Sequence, residues 1–401
     1  MLDLEQYREA LERCSQCGYC QASCPVFSQE LLESYTARGR TLLIKAALMD
    51  GALPVGKRAK EIVANCLLCG TCAHTCPGGL PLDEIFMAAR SQLRPGGPGA
   101  SLKRGLHRKL MEQRGHPGAM GKLGPLAKAL GLAPADLPQP AAHPFLADQP
   151  EVLKPSGQVR ARVAWFVGCA ANSIHLDTAQ AVRKVLLTNG VEVVLPQGLA
   201  CCGLPALAQG EVEMAQDLAR RNLAALAALA AQEVHAVVTE CTSCVLMLRD
   251  KMGRLFEPES PEAQAARALA PKVMEAGAFL NKLGLSRAPQ ECGVSYTLHQ
   301  PCHAAGFAAQ VQEGLSLLEQ MPGADYRPLA DPAACCGAGG DFFLKNPALS
   351  QGVRRSKLEQ IEQSGAEMVV TPCPACRHYL GLALGPDKVK HPLAVLAGAY
   401  E

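Results

Sequence analysis

The sequence predicts an α/β multidomain protein: a helical N-terminal segment carrying two cysteine clusters, then two copies of one cysteine-rich α/β unit. Three observations carry this. A chain of 401 residues exceeds what one compact core covers. Cysteine spacings in the first 80 residues occur twice. Further on, Cys169, Cys201, Cys202, Cys241 and Cys244 recur as Cys302, Cys335, Cys336, Cys373 and Cys376, at near-constant offsets of 132 to 134 residues. Constant offsets over five positions mark a duplicated unit.

The elements follow in order. Residues 1–94 hold the two N-terminal clusters, separated by a helical pattern in which Leu31, Leu42, Leu43, Ala46, Ala47 and Leu48 make an apolar face. Arg38, Arg40 and Lys45 beside it read as the solvated side of that helix. Residues 95–158 are rich in proline and glycine and read as a linker with short helices. Within it, Ser101 to Lys128 carries seven Lys/Arg and one acid, with Leu102, Leu106 and Leu110 at helical spacing. Such a basic amphipathic helix packs on its own protein or lies on an anionic membrane.

The two units are expected at 159–258 and 292–401, joined by a helical connection over 259–291. Each opens on an apolar run, Val163–Val167 or Val294–Leu298, that reads as a strand entering the first cysteine. A helix follows, 174–187 or 304–320, then a second strand at Val191–Leu195. The counterpart Tyr326–Leu329 is weakened by Pro328. Another helix, 211–231 or 347–364, leads to a last strand, Ala236–Thr239 or Met368–Thr371, which runs into Cys-x-x-Cys. Alternating strands and helices predict a parallel sheet, with ligands gathered beyond the carboxyl ends of its strands.

Composition narrows function mainly by exclusion. A net charge of +2 and 4% aromatics give no footprint for nucleic acid. The first residues lack a secretory pattern, and the longest apolar run is too short to span a bilayer, so a cytoplasmic location is expected. Nineteen cysteines in a reducing compartment point to metal in preference to disulfides.

Cys14-x2-Cys17-x2-Cys20-x3-Cys24-Pro25 and Cys66-x2-Cys69-x2-Cys72-x3-Cys76-Pro77 match the two-cluster ferredoxin run. Two-residue gaps let three thiolates wrap one face of a 4Fe–4S cubane, while the fourth crosses to the other cluster. Cys14, Cys17, Cys20 and Cys76 are therefore expected to hold one cubane, and Cys66, Cys69, Cys72 and Cys24 the second. Zinc sites close with four ligands and have no need of two Cys-Pro crossings. In the duplicated units, five thiolates exceed the needs of tetrahedral zinc and favour iron–sulfur. Zinc on four of the five, or a reversible disulfide, is the alternative there. Cys292 fits no motif, and His303 reads as a helix-start histidine satisfied by backbone.

These motifs, with His299-Gln300-Pro301-Cys302-His303 and Cys335-Cys336-Gly337-Ala338-Gly339-Gly340 in the second unit above all, resemble the iron–sulfur subunit of glycolate oxidase and its relatives. Gly168-Cys169-Ala170 in the first unit lacks the flanking histidines, so the two clusters are expected to differ chemically. The relatives are lactate-utilisation and D-lactate dehydrogenase iron–sulfur proteins, the third subunit of anaerobic glycerol-3-phosphate dehydrogenase, and the heterodisulfide reductase catalytic subunit. The likeness covers residues 10–90 and 160–380. It implies non-cubane 4Fe–4S clusters on one or both Cys-Cys-Gly units. It implies as well a partner subunit with FAD that oxidises a 2-hydroxy acid, glycolate or D-lactate, and passes electrons through this chain to quinone or another acceptor. Peripheral contact with the inner face of the membrane would suit that acceptor. Glycerol 3-phosphate as substrate of the complex, and disulfide reduction at a non-cubane cluster, are the alternatives it leaves. The resemblance assigns no catalytic residue to this chain.

Overall fold

The computed structural model describes residues 3–94, 96–112, 134–227 and 233–400. The side chains of Leu102, Leu106 and Leu110 and the remainder of the basic stretch beyond Glu112 lie outside that description.

The N-terminal segment is helical. Its main elements are α1 (Ala37–Ile44), α2 (Leu82–Gln92) and α3 (Pro98–Glu112). Thr36 caps α1 by accepting a hydrogen bond from the Gly39 N–H at 2.9 Å. The α1 face buried in the fold is Ala37, Arg40, Thr41 and Ile44, so Arg40 is not solvated as expected: it is 1% exposed. Its guanidinium donates to the carbonyls of Tyr35, Ile62 and Asn65, which satisfies a buried charge with three acceptors. At the end of α3, Met111 is buried, its carbonyl accepts from the Cys201 N–H, and Arg108 pairs with Asp217. This end of the basic helix packs on its own protein.

Among the described residues, nine strands form two sheets. The first has the order β1-β3-β2-β4-β5, from β1 (Val152–Leu153), β2 (Ala161–Trp165), β3 (Val191–Val194), β4 (Ala236–Thr239) and β5 (Val273–Glu275). The second has the order β7-β6-β8-β9, from β6 (Ser295–Leu298), β7 (Asp325–Tyr326), β8 (Met368–Val370) and β9 (Val389–Lys390). All pairings are parallel except β1 with β3. Strands β3-β2-β4-β5 thus repeat as β7-β6-β8-β9, the duplication that the cysteine offsets imply. Pro328, with no N–H to give, leaves β7 two residues long. Strand β1 lies in the expected linker and β5 in the expected helical connection, and both join the first sheet.

Helices cover the sheets: α4 (Leu176–Thr188), α5 (Val212–Ala227), α6 (Ala276–Leu283), α7 (Ala308–Glu319), α8 (Pro347–Ser364), α9 (Pro374–Leu384) and α10 (Pro392–Gly398). The last helix of each unit crosses to the other: α6 packs on α7, and α10 packs on α4. One apolar core therefore runs through both units, joining Val163, Trp165 and Val182 to Tyr296, Leu315 and Leu396. A second core ties Ile85 and Phe86 of α2 to Leu207, Met247 and Leu248 of the first unit.

Candidate metal centres

The two N-terminal loops fold alike. Gln16 and Leu68 hold corresponding places before the middle cysteine, and both have left-handed backbone, φ 56° and 52°. A side chain tolerates that region at some cost. In the second loop the resulting curl brings the Leu68 N–H to 3.4 Å from Cys66 Sγ. Short helices, Tyr19–Ala22 and Thr71–His74, then carry Cys20 and Cys72.

Each loop closes a cavity. One is lined by Cys14, Cys17, Cys20 and Cys76, the other by Cys66, Cys69, Cys72 and Cys24. Both exchanges across the pair expected from the Cys-Pro crossing are present in the geometry. Arg38 lines the first cavity and Arg40 the second. Arg90 donates to the carbonyl of Cys66, adding a further cation under that loop.

The donor set suits a cationic cluster. Burial, reinforced by the neighbouring Cys335, pushes the Cys69 thiol up to about 12. Thiols so placed ionise when a metal supplies the compensating charge. Several sulfurs already accept hydrogen bonds: Thr71 donates to Cys69, the Gly337 N–H to Cys335 and the Cys376 N–H to Cys373, at 3.4 to 3.5 Å. Donors aimed at sulfur stabilise a thiolate ligand.

In the first unit, Cys201, Cys202, Cys241 and Cys244 are buried and Cys169 is exposed, with the sulfurs of Cys169 and Cys201 3.7 Å apart. In the second, Cys336, Cys373 and Cys376 are buried, and Cys302 and Cys335 are hydrogen-bonded to each other. The thiols interact the same way twice. Hydrogen bonds from Cys201 and Cys244 pull Cys202 down to about 6, and Cys244 itself is driven up. Cys376 likewise lowers Cys336 and Cys373 and is driven up itself. Buried sulfurs this close together, each perturbing the next, mark a place that a metal cation fits. Each site also needs glycine after the paired cysteines. At Gly337, φ is +88° and a Cβ would lie 2.5 Å from the Ser350 carbonyl oxygen.

Two groups at these sites, Glu240 and Lys357, escaped the sequence reading, whereas His299 stands in the histidine-flanked run at Cys302. In the first unit Glu240 is buried, and its two carboxylate oxygens accept from the Trp165 indole N–H at 2.8 Å and the Gly168 N–H at 2.7 Å. In the second, Lys357 is fully buried and donates to the Asp331 carbonyl at 2.7 Å. Burial lowers its pKa, against the pull of Asp331 and nearby thiols. His299, 1% exposed, is driven by burial down to about 3 and stays neutral.

The sites adjoin one another. Cys24, Cys69 and Cys335 pack against one small core of Val26, Tyr35, Leu67, Phe342 and Val353. His303 bonds to the Ser243 hydroxyl at 2.9 Å, between Cys241 and Cys244, and to the backbone of Leu68, between Cys66 and Cys69. It touches backbone, as expected, but at Leu68 in another site, and its second partner is a side-chain hydroxyl. Cys292 stays apart, half-buried at the edge of the shared core.

Paired dicluster loops joined to two five-thiol α/β units define an iron–sulfur electron-transfer protein. Residues 10–80 match the 4Fe-4S dicluster domain, and residues 163–249 and 296–381 each match the cysteine-rich domain. The chain is 26% identical to the probable glycolate oxidase iron–sulfur subunit of Bacillus subtilis, over 94% of this chain and 89% of that one. Lactate utilization protein A of the same organism is 30% identical, over 59% of this chain and 98% of that protein. A heterodisulfide reductase component of Methanosarcina acetivorans is 25% identical, over 96% of this chain and 91% of that one. The chain belongs to the family of iron–sulfur subunits that includes the glycolate oxidase subunit and lactate utilization protein A. Among the described residues no helix is long and apolar enough to cross a membrane.

Proposed function

We propose that this chain is the electron-transfer subunit of a flavin-linked 2-hydroxy-acid dehydrogenase, taking electrons from an FAD subunit that oxidises glycolate or D-lactate and passing them toward quinone or another acceptor. The observation that carries the reading is the contact among the thiol sites, two of which open to the surface: Cys17 is the exposed thiol of the first dicluster site, and Cys169 that of the first cysteine-rich unit. Between them, the second dicluster site adjoins Cys335, and His303 links that site to the first unit.

In this reading Cys14, Cys17, Cys20 and Cys76 hold one 4Fe–4S cubane, and Cys66, Cys69, Cys72 and Cys24 the other. Cys169, Cys201, Cys202, Cys241 and Cys244 hold a third cluster, and Cys302, Cys335, Cys336, Cys373 and Cys376 a fourth, both non-cubane. Bound clusters supply one-electron carriers, which a two-electron flavin needs downstream. The protein's part is to hold the thiols at fixed separations, exclude water from the inner sites and set their electrostatics with Arg40, Arg90, Glu240 and Lys357. The test is anaerobic co-purification with the flavoprotein, followed by addition of glycolate or D-lactate. Full sites give about sixteen irons per chain, and visible absorbance bleaches on substrate addition. Cys69→Ser removes one cubane signal and stops bleaching beyond it. An iron-free chain, or unchanged transfer in that variant, ends the proposal.

A further inference from the structure

His299 follows β6 and is separated from Cys302 by Gln300 and Pro301. Neither of its ring nitrogens has a hydrogen-bond partner among the described residues. One of those nitrogens and the sulfurs of Cys336 and Cys376 all lie within 4.8 Å of one another. Leaving a buried polar group unpaired is costly, so a partner is expected. Packing alone does not demand the imidazole: at the corresponding place in the first unit stands Phe166, equally buried. Nor is Lys357 there to serve it, since that ammonium is engaged by the Asp331 and Pro332 carbonyls.

We propose that His299 ligates the metal of the second cysteine-rich unit through a ring nitrogen, making that site mixed sulfur–nitrogen where the first is sulfur alone. The inference deepens the reading above and rests on it, because it needs iron at this site. The bond is coordinate: the neutral imidazole gives a lone pair to the metal, and no electron or proton changes hands. The nitrogen adds a donor to the five thiolates without adding charge, and the buried ammonium of Lys357 lies near the same thiols.

The test uses the whole chain, made with histidine carrying the heavier nitrogen isotope, isolated anaerobically and reduced in steps. Pulsed electron paramagnetic resonance is expected to find one centre strongly coupled to a histidine nitrogen. His299→Cys, which offers a thiolate instead, keeps the iron content and loses the coupling; His303→Gln keeps both. Full iron with no strongly coupled nitrogen in any reduced state overturns the inference alone, as does loss of the coupling in His303→Gln but not in His299→Cys. Iron missing from the second site, or zinc in its place, overturns the underlying reading and the inference with it.

Discussion

In the first cysteine-rich unit a buried acid, Glu240, reaches from the residue before Cys241 to Trp165 and Gly168; in the second, that position is Pro372. Conversely, Asn222 of α5 caps the Ala200 N–H and the Cys201 carbonyl, whereas the equivalent residue of α8 is the buried Lys357. The same five thiols on the same four-strand frame thus sit in opposite fields, acid in one unit and base in the other. Duplication preserved the five thiols and let the surroundings diverge. Each difference can be tested by removing it.

Glu240→Ala is expected to be the most damaging change. It strips the acceptor from two N–H donors whose residues are fully enclosed, at about 1–3 kcal/mol each. Thermal unfolding should show a large drop in midpoint, together with iron lost from the first unit while the second stays filled. A variant as stable as the parent would show the acid to be dispensable. Next comes the joint between units. Arg377 of α9 grips Asp177 with two nitrogens, at 3.0 and 2.6 Å, and donates to Thr178 and the Val389 carbonyl. The first unit has Val245 at that place, so the grip is one-sided. A lysine cannot reproduce the fork. Arg377→Lys should cost about 2 kcal/mol, read as a lower denaturant midpoint.

How much of this was legible beforehand follows from the range of each signal. Ligand spacing is covalent and local, so the dicluster and Cys-Cys-Gly motifs stand in the sequence itself. Long apolar strands were legible too: Ala236–Thr239 is β4, residue for residue. Strands β1, β5 and β9 have two or three residues, too few to show a period. Arg40 and Lys357 were readable in principle. Each lies on the buried stripe of its helix, Arg40 with Ala37 and Ile44, Lys357 with Ser350, Val353 and Ile361. A charge on such a stripe signals a buried partner, though not which one. Glu240 carries no such mark, because its partners Trp165 and Gly168 arrive from a distant part of the chain. His299 was marked by its place in the run at Cys302, but its closeness to Cys336 and Cys376 was not.

The crossed helices give a third contrast. Glu275 caps α6 and His391 caps α10, at matching places, and the two side chains meet with Nε2 3.9 Å from Oε1. Burial raises Glu275 from 4.5 to about 8 and lowers His391 from 6.5 to about 4. Glu240, His175, Asp177 and Arg377 face the pair. Between pH 4.5 and 6.5, unfolding frees one proton from Glu275 and binds one at His391, so their effects cancel. From pH 6.5 to about 8 only the folded Glu275 still holds a proton, and stability falls as pH rises, by about 1.4 kcal/mol per unit. Glu275→Gln should flatten the melting temperature over that window. A slope that persists in the variant assigns it to another group.

The smallest expected effect goes to the centre of the comparison. A buried charge near a redox site shifts it by on the order of 1 kcal/mol, or roughly 40 mV for one electron. Lys357 stabilises added negative charge and Glu240 opposes it, so the second unit should hold the more positive potential of the two. Lys357→Gln keeps a donor for the Asp331 carbonyl and removes the charge; Glu240→Gln keeps the size and removes the acid. The first should lower one potential and the second raise the other, in a titration followed by paramagnetic resonance. If both signals move together, the sites share one field and the divergence of their surroundings has no electrical meaning. If they move apart in the expected senses, the duplication produced a graded pair whose gradient runs from the acid unit to the basic one.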